Sequence, residues 1–365
     1  MKLLFLGDFF YDYDYISKDI EEIINFINKN DYKVIINLET AVLDAQRPIK
    51  KRGPNLKSDH IILEILKRMH CVCVCLANNH AMDYGKESLL ATKEALEEVG
   101  IQCVGGGRNL KQAIEPARIW DGNKEIIVQN YGWDIEETVY ASENGAGCAP
   151  LNRDEIVNRT SQLKNNNPNA VLINCLHMGF EFNVYPMPLD ILFAHKCLDC
   201  GCDLIIGHHP HIIQPKEKYM GREIYYSLGN FYFASRRNGF REQYEKDSVE
   251  GYGDYGLGVV LDVDTLETTE LIIHYNRENA ESGFEDRYSN LLLPVFPELD
   301  WRSNEYMKFA ADHAYKNNPI LGLNENKNKE KLRRLTFKYS IAGKLQKIRK
   351  YELGDKLYSF IKERA

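Results

Sequence analysis

The chain has 365 residues, 44% hydrophobic and 27% charged, with 22 Tyr and 15 Phe, an ordinary globular composition that argues against a disordered or collagen-like chain. At roughly 150 residues per domain it has room for two or three domains, or for one large α/β domain with additions. The net charge of -7 is unevenly placed: Lys327 to Ala365 holds 13 basic and 4 acidic residues, whereas positions 1 to 326 hold 33 basic and 49 acidic. An acidic body of this kind argues against nucleic acid as a partner, while the basic tail suits an anionic one.

In chain order, the opening run Leu3 to Leu6 is too short and lacks the cleavage site of a signal peptide, so it reads as a buried first strand ending at Gly7-Asp8. Val34 to Ile36 ends at Asn37-Leu38-Glu39, Cys71 to Ala77 at Asn78-Asn79-His80, Val171 to Leu176 at His177, and Leu204 to Ile206 at Gly207-His208-His209-Pro210-His211. Helical patterns lie between, with apolar residues three and four apart: Ile20-Ile23-Ile24-Ile27, Ile61-Ile62-Ile65-Leu66, Leu89-Leu90-Leu96 and Ile191-Leu192-Ala194-His195-Leu198. Alternation of strand and helix predicts a largely parallel sheet covered by helices. Ligands gather at the carboxyl edges of such sheets, so five polar strand ends predict one shared site.

Further on, Ile212 to Lys218 with Glu223 to Tyr226, and Gly258 to Val263 with Thr269 to Tyr275, read as hairpins. Residues 236 to 256 read as a long loop near the site. From 276 to 326 the stretch reads as an irregular extension, and 327 to 365 as a basic helical tail, with Leu332 to Lys350 and Asp355 to Lys362 helical. No apolar run approaches the roughly 18 residues of a membrane-spanning helix. Nine cysteines, without the spacing of a small disulfide framework, suggest a reduced, cytoplasmic setting.

The oxygens of Asp8, Glu39 and Asn79 with the imidazoles of His177, His209 and His211 form a mixed donor set suited to divalent Mn, Fe, Zn or Co. Two such ions bridged by one carboxylate can activate water and neutralise charge on a phosphoryl group. If 209 to 211 is extended, alternation sends both histidines to one side and His208 to the other, where packing is its natural role. Each polar strand end also has a structural reading, because Asn and Asp routinely cap helices. Glu181 reads either as a carboxylate that holds a histidine ligand or as a solvated loop residue.

Gly7-Asp8, Asn37-Leu38-Glu39, Leu76-Ala77-Asn78-Asn79-His80 with Asp83-Tyr84-Gly85, His177-Met178-Gly179-Phe180-Glu181, Gly207-His208-His209-Pro210-His211 and Tyr226-Ser227-Leu228-Gly229-Asn230-Phe231 together resemble the capsule synthesis protein CapA family. The resemblance covers residues 1 to about 275. It implies a role in capsule polysaccharide or poly-gamma-glutamate biosynthesis and a fold related to calcineurin-like metallophosphoesterases: an α/β, αββα sandwich of two facing mixed sheets with helices outside, here with a helical carboxy-terminal extension. It further implies a metal-dependent hydrolase using a metal-bound water on a phosphoester or capsule-polymer bond. Asp8 and His211 would be first-metal ligands, Glu39 the bridging carboxylate, and Asn79, His177 and His209 second-metal ligands. His80 would contact substrate or protonate the leaving group, with Glu181 beside it as a catalytic candidate. Phe10 stands where metallophosphoesterases usually place a histidine, so the first ion would have only Asp8, Glu39 and His211, and one ion or two remain alternatives. A non-catalytic assembly or regulatory subunit of the synthesis complex is the competing reading.

The other motifs have plainer readings. Cys71-x-Cys73-x-Cys75 and Cys197-x-x-Cys200-x-Cys202 read as buried small hydrophobes rather than metal ligands. Gly105-Gly106-Gly107 lacks the Lys-Ser/Thr of a P-loop and reads as a turn. Arg236, Arg237 and Arg241 are candidates for an anionic substrate. The tail could lie on an anionic membrane surface, making the protein peripheral to it, or pack on the acidic body. The expected partners are thus an anionic capsule polymer or phosphoester substrate and the capsule synthesis machinery.

Overall fold

The computed structural model describes residues 1–42, 47–51, 54–133, 138–235, 255–276, 281–285 and 294–317. Arg236, Arg237, Arg241 and the basic tail lie outside these residues.

The first strand, Lys2–Asp12, is buried from Leu3 to Tyr11 because it is central. Its lower half pairs antiparallel with Tyr255–Asp262, its upper half pairs parallel with Asn230–Ser235, and Lys33–Leu38 runs parallel along its other side. The larger sheet runs in the order Glu281–Glu285, Thr268–Asn276, Tyr255–Asp262, Lys2–Asp12, Lys33–Leu38, Cys71–Cys75, Gln102–Val104. A second sheet runs Lys216–Tyr219, Arg222–Tyr225, Leu204–His208, Val171–His177, Lys124–Gly132, Ala117–Asp121. Both are mixed: the larger sheet is parallel from Lys2–Asp12 to the Gln102–Val104 edge and antiparallel on its other side, and the second has a parallel centre between antiparallel margins.

Strand alternation sorts the core. Leu3, Phe5, Ile35, Cys73 and Cys75 face Ile126, Val128, Ile173, Cys175 and Ile206 of the second sheet in a common inner cluster. Leu4, Leu6, Val34 and Ile36 point the other way, into a cluster with Ile20, Ile23, Ile24 and Ile27. Those four residues form one face of the helix Lys18–Lys29 and, fully buried, each contributes about 1.5–3 kcal/mol. The helix Ile61–Arg68 precedes and Lys86–Glu98 follows the larger-sheet strand Cys71–Cys75, and Arg153–Asn166 and Pro188–Asp199 precede second-sheet strands. The result is helices, two facing mixed sheets, and helices.

Three local expectations need correction. Gly106–Gly107 is a short strand paired with Gly147–Cys148 rather than part of a turn. The stretch from 276 to 326 is not irregular throughout, since Glu281–Glu285 extends the larger sheet and Asn304–Asn317 is a helix. Ser303 caps that helix by accepting from the Tyr306 N–H at 3.0 Å, and Tyr306 is fully buried with its hydroxyl donating to the Pro186 carbonyl. Only Tyr306, Met307 and Ala310 of its residues described in detail are buried, a face too narrow to stand out in sequence. Finally, 209 to 211 is not extended.

Candidate metal centre

Asp8 owes its position to an irregularity in the first strand. The register breaks on both sides of Asp8, between Leu6 and Asp8 against Lys33–Leu38 and between Asp8 and Phe9 against Asn230–Ser235, and a Cβ on Gly7 would lie 2.0 Å from the Gly229 carbonyl oxygen. Only glycine permits that approach. The Asp8 N–H then bonds the same carbonyl at 3.0 Å. Its carboxylate accepts from Asn37 Nδ2 at 2.7 Å and from the His209 backbone N–H at 3.1 Å.

Asn37 is the penultimate residue of the strand Lys33–Leu38, and Glu39 directly follows that strand, fully buried. Asn78 ties this edge to the next one, with Nδ2 donating to Asn37 Oδ1 at 3.2 Å and to the Leu38 carbonyl at 2.8 Å. Its Oδ1 accepts from the N–H groups of His80 and Ala81, closing a turn rather than capping a helix, since the next helix starts at Lys86; Asn78 is a buried hydrogen-bonding residue that braces the site. Asn79 projects inward, with Oδ1 2.9 Å from His177 Nε2.

His209 and His211 have φ of 97° and 58°. Non-glycine residues rarely adopt such values, and they mark backbone held for a purpose by its surroundings. The two imidazoles converge through this left-handed turn, with ring centroids 6.1 Å apart, and His177 lies 4.7 Å from His209. His211 Nδ1 donates to Asn230 Oδ1 at 2.9 Å, which puts the ring's lone pair on Nε2, 3.6 Å from Glu39 Oε1. His177 Nε2 is 3.7 Å from the same oxygen. His208 points elsewhere, its Nε2 3.3 Å from the Leu6 carbonyl.

Three sets of ligand atoms, each within 4.8 Å of one another, result: Glu39 with His177 and His209, Asp8 with Glu39 and His211, and Glu181 with His209 and His211. Burial pushes the Asp8 carboxyl up to about 7. Glu39 is raised well above the usual carboxylate range by burial, then by the charges of Asp8 and Glu181. Burial depresses His177 and His209 strongly and takes His211 to about 4, with the neighbouring imidazoles adding to it. Both shifts favour neutral groups, the expected response of charges gathered in low dielectric.

The residues fit a divalent cation. Among the described residues, neither oxygen of Glu39 and neither ring nitrogen of His209 has a hydrogen-bond partner, although all four atoms are buried. Native proteins seldom leave such groups unmatched, and coordination would satisfy them together. It would also reverse the carboxylate shifts while reinforcing those of the histidines, since a cation stabilises the carboxylates and takes imidazoles in their neutral form. Asp8, Glu39, Asn79, His177, His209 and His211 are therefore brought to one place.

His80 stands beside the cluster. Its Nδ1 lies 2.7 Å from Asp83 Oδ2 and 3.1 Å from Lys51 Nζ, so these two residues anchor the ring from that nitrogen. Asp83 also accepts from the Leu56 N–H at 2.6 Å and pairs with Lys51. Lys51 has a side chain only 2% exposed, and its ammonium donates to the Asn79 carbonyl at 3.0 Å. Sequence reading missed Lys51, which lies in a stretch without motif or periodicity. Phe10 is buried against Phe233 at 5.2 Å, and Phe233 packs edge-on to His211 at 5.0 Å, so an apolar wall closes that side.

The profile of the bacterial capsule synthesis protein PGA_cap family matches residues 3–235. The chain is similar to the capsule biosynthesis protein CapA of Bacillus anthracis, 29% identical over 61% of this chain and 54% of that protein. It is also similar to the PGA biosynthesis protein CapA of Bacillus subtilis, 31% identical over 49% and 47%, and to a probable polyglutamine synthesis accessory protein of Mycobacterium tuberculosis, 32% identical over 54% of each. The chain spans about half the length of these curated relatives. Among solved structures, a 5'-nucleotidase precursor from Thermus thermophilus superposes with a TM-score of 0.44 at 10% identity, over 77% of this chain and 55% of that one.

Proposed function

The chain belongs to the bacterial capsule synthesis protein PGA_cap family, and from that premise we propose that it is a metal-dependent hydrolase acting on a phosphoester or capsule-polymer bond in capsule or poly-gamma-glutamate biosynthesis. The observation that carries this reading is the buried cluster with four unmatched donor atoms on Glu39 and His209, set beside an oriented histidine. Asp8, Glu39, Asn79, His177, His209 and His211 would hold one or two ions of Mn, Fe, Zn or Co. When bound, such ions supply Lewis-acid activation of water and neutralise charge on the substrate.

The chain's own residues supply the rest. Asp83 and Lys51 hold the His80 ring through Nδ1, leaving Nε2 to meet an anionic oxygen or a leaving group. Asn78 and Asn37 hold the two strand ends at fixed separation through their amide bonds, which keeps Asp8 and Asn79 in place as substrate arrives. The test is hydrolysis of generic phosphodiesters and of capsule polymers by the metal-supplied full chain, with His80→Ala expected to lower the rate by about 10²–10⁴. No hydrolysis of either class, or an undiminished rate in His80→Ala, would contradict it.

A second reading is favoured by Phe10. Its packing against Phe233 puts an apolar ring where a further ligand would stand, which suits an assembly or regulatory subunit of the synthesis machinery with a structural ion. In that case the protein binds metal and lacks turnover, and a cellular capsule phenotype survives His80→Ala.

A further inference from the structure

Glu181 lies on the segment that follows His177, and the backbone clamps that segment onto the histidine turn. Met178 N–H donates to the His208 carbonyl at 3.0 Å, and Phe182 N–H donates to the Pro210 carbonyl at 2.9 Å. These two bonds bracket Glu181. Gly179, at φ 103°, makes the approach possible, since a Cβ there would already lie 3.2 Å from Pro210 Cγ. Phe182 also has positive φ, 56°, and its ring lies 6.1 Å from that of His211. Five non-helical residues thus cross the turn in a fixed path, which is more order than a solvated loop carboxylate requires.

We propose that Glu181 is a metal ligand of this centre, a carboxylate supplied from its more exposed side to an ion that His209 or His211 holds. Its carboxylate lies within 4.8 Å of ring nitrogens of both His209 and His211. The inference rests on the metal-centre reading above and extends it. A second and independent observation also points to a ligand there: His209 is 2% exposed, yet both its ring nitrogens lack a partner. The three sets overlap in an informative way. The Glu39–His177–His209 and Asp8–Glu39–His211 sets share only Glu39, whose two oxygens can serve two ions at once. The Glu181 set shares a histidine with each of the others, and an imidazole ordinarily gives one nitrogen to one ion. Glu181 therefore adds a ligand to an ion already in place, on a centre otherwise short of donors beside the apolar Phe10.

The test is cobalt titration of the chelator-treated full chain, reading the visible d–d absorption of Co²⁺ and its affinity by competition with a chelating dye. Glu181→Gln is expected to weaken one binding step by about tenfold or more, within the range found when a metal's supporting groups are altered, and to change the band. Glu181→His, which offers a nitrogen donor, should recover most of the affinity with a shifted band. Glu143→Gln, at an exposed position, should match wild type. Circular dichroism of each variant verifies the fold. Affinity for Glu181→Gln within about twofold of wild type, on the same tenfold scale, overturns the proposal. So does a weakened Glu181→Gln with an unaltered band and no recovery in Glu181→His, because that pattern is charge acting at a distance. Failure of wild type itself to bind cobalt overturns the underlying metal-centre reading instead.

Discussion

Asp83→Asn should be among the most destabilising conservative substitutions in the chain. Asp83 is fully buried and compensates the Lys51 ammonium, whose side chain is 2% exposed. Removing one partner of a buried pair leaves an uncompensated charge and costs about 3–5 kcal/mol. Lys51 keeps its bond to the Asn79 carbonyl, and an asparagine oxygen can still accept from the Leu56 N–H, so the lower end, about 3 kcal/mol, is expected. That is a large part of a total stability of about 5–15 kcal/mol. Lys51→Met alone strands the Asp83 carboxylate and should cost a similar amount. Combined with Asp83→Asn it removes the pair altogether and should recover about 2 kcal/mol relative to the sum of the single changes. Urea unfolding at pH 7, followed by tryptophan fluorescence, measures all three. A cost below about 1 kcal/mol for Asp83→Asn, or strict additivity in the double variant, would refute the assignment of this ion pair as buried and coupled.

Glu39→Gln should leave the metal-free protein at least as stable as wild type, because it removes a buried carboxyl whose oxygens accept no hydrogen bond; a large loss in calorimetry would contradict this. The same variant should lose most of the stabilisation by added Mn²⁺ or Zn²⁺, which for wild type reaches about 2.7 kcal/mol per site at a hundred times the dissociation constant. Gly207→Ala would bring a Cβ to 1.9 Å from the Tyr226 carbonyl oxygen, forcing two backbone segments apart at a cost of about 3 kcal/mol or more; an unchanged urea midpoint would contradict the packing. Alkylation of the native protein followed by mass spectrometry should label Cys200 first, since it is only partly buried, with Cys103 slower because burial pushes its thiol up to about 12. Cys71, Cys148 and Cys202 are buried, and burial pushes the Cys71 thiol far up and those of Cys148 and Cys202 up to about 12; rapid labelling of any of them would be inconsistent with the fold.

Much of the centre is legible in sequence because strand ends are. A run of apolar residues stopping at Asp, Asn, Glu or His places that residue on the carboxyl edge of a parallel sheet, and the edge gathers what the chain separates by two hundred positions. His208 is assigned to packing from the sequence, and it does point away from the cluster, toward the Leu6 carbonyl. The reason offered for its neighbours is wrong, since His209 and His211 converge through left-handed backbone, which no periodicity reveals. Lys51 leaves no trace either: a lysine in a loop is ordinarily solvated, and only the fold brings Asp83 against it. The helix Asn304–Asn317 is hidden for a different reason, because its described anchors, Tyr306, Met307 and Ala310, make too short a pattern to separate from loop.

The most direct test of the central claim is metal content. The purified full chain, supplied with Mn, Fe, Zn and Co and passed through a desalting column, should retain one or two ions per molecule by elemental mass spectrometry. Glu39→Gln and His209→Ala, verified as folded, should retain fewer. A wild-type protein that retains no ion after this supply would contradict the account of the buried carboxylates and imidazoles as a metal centre.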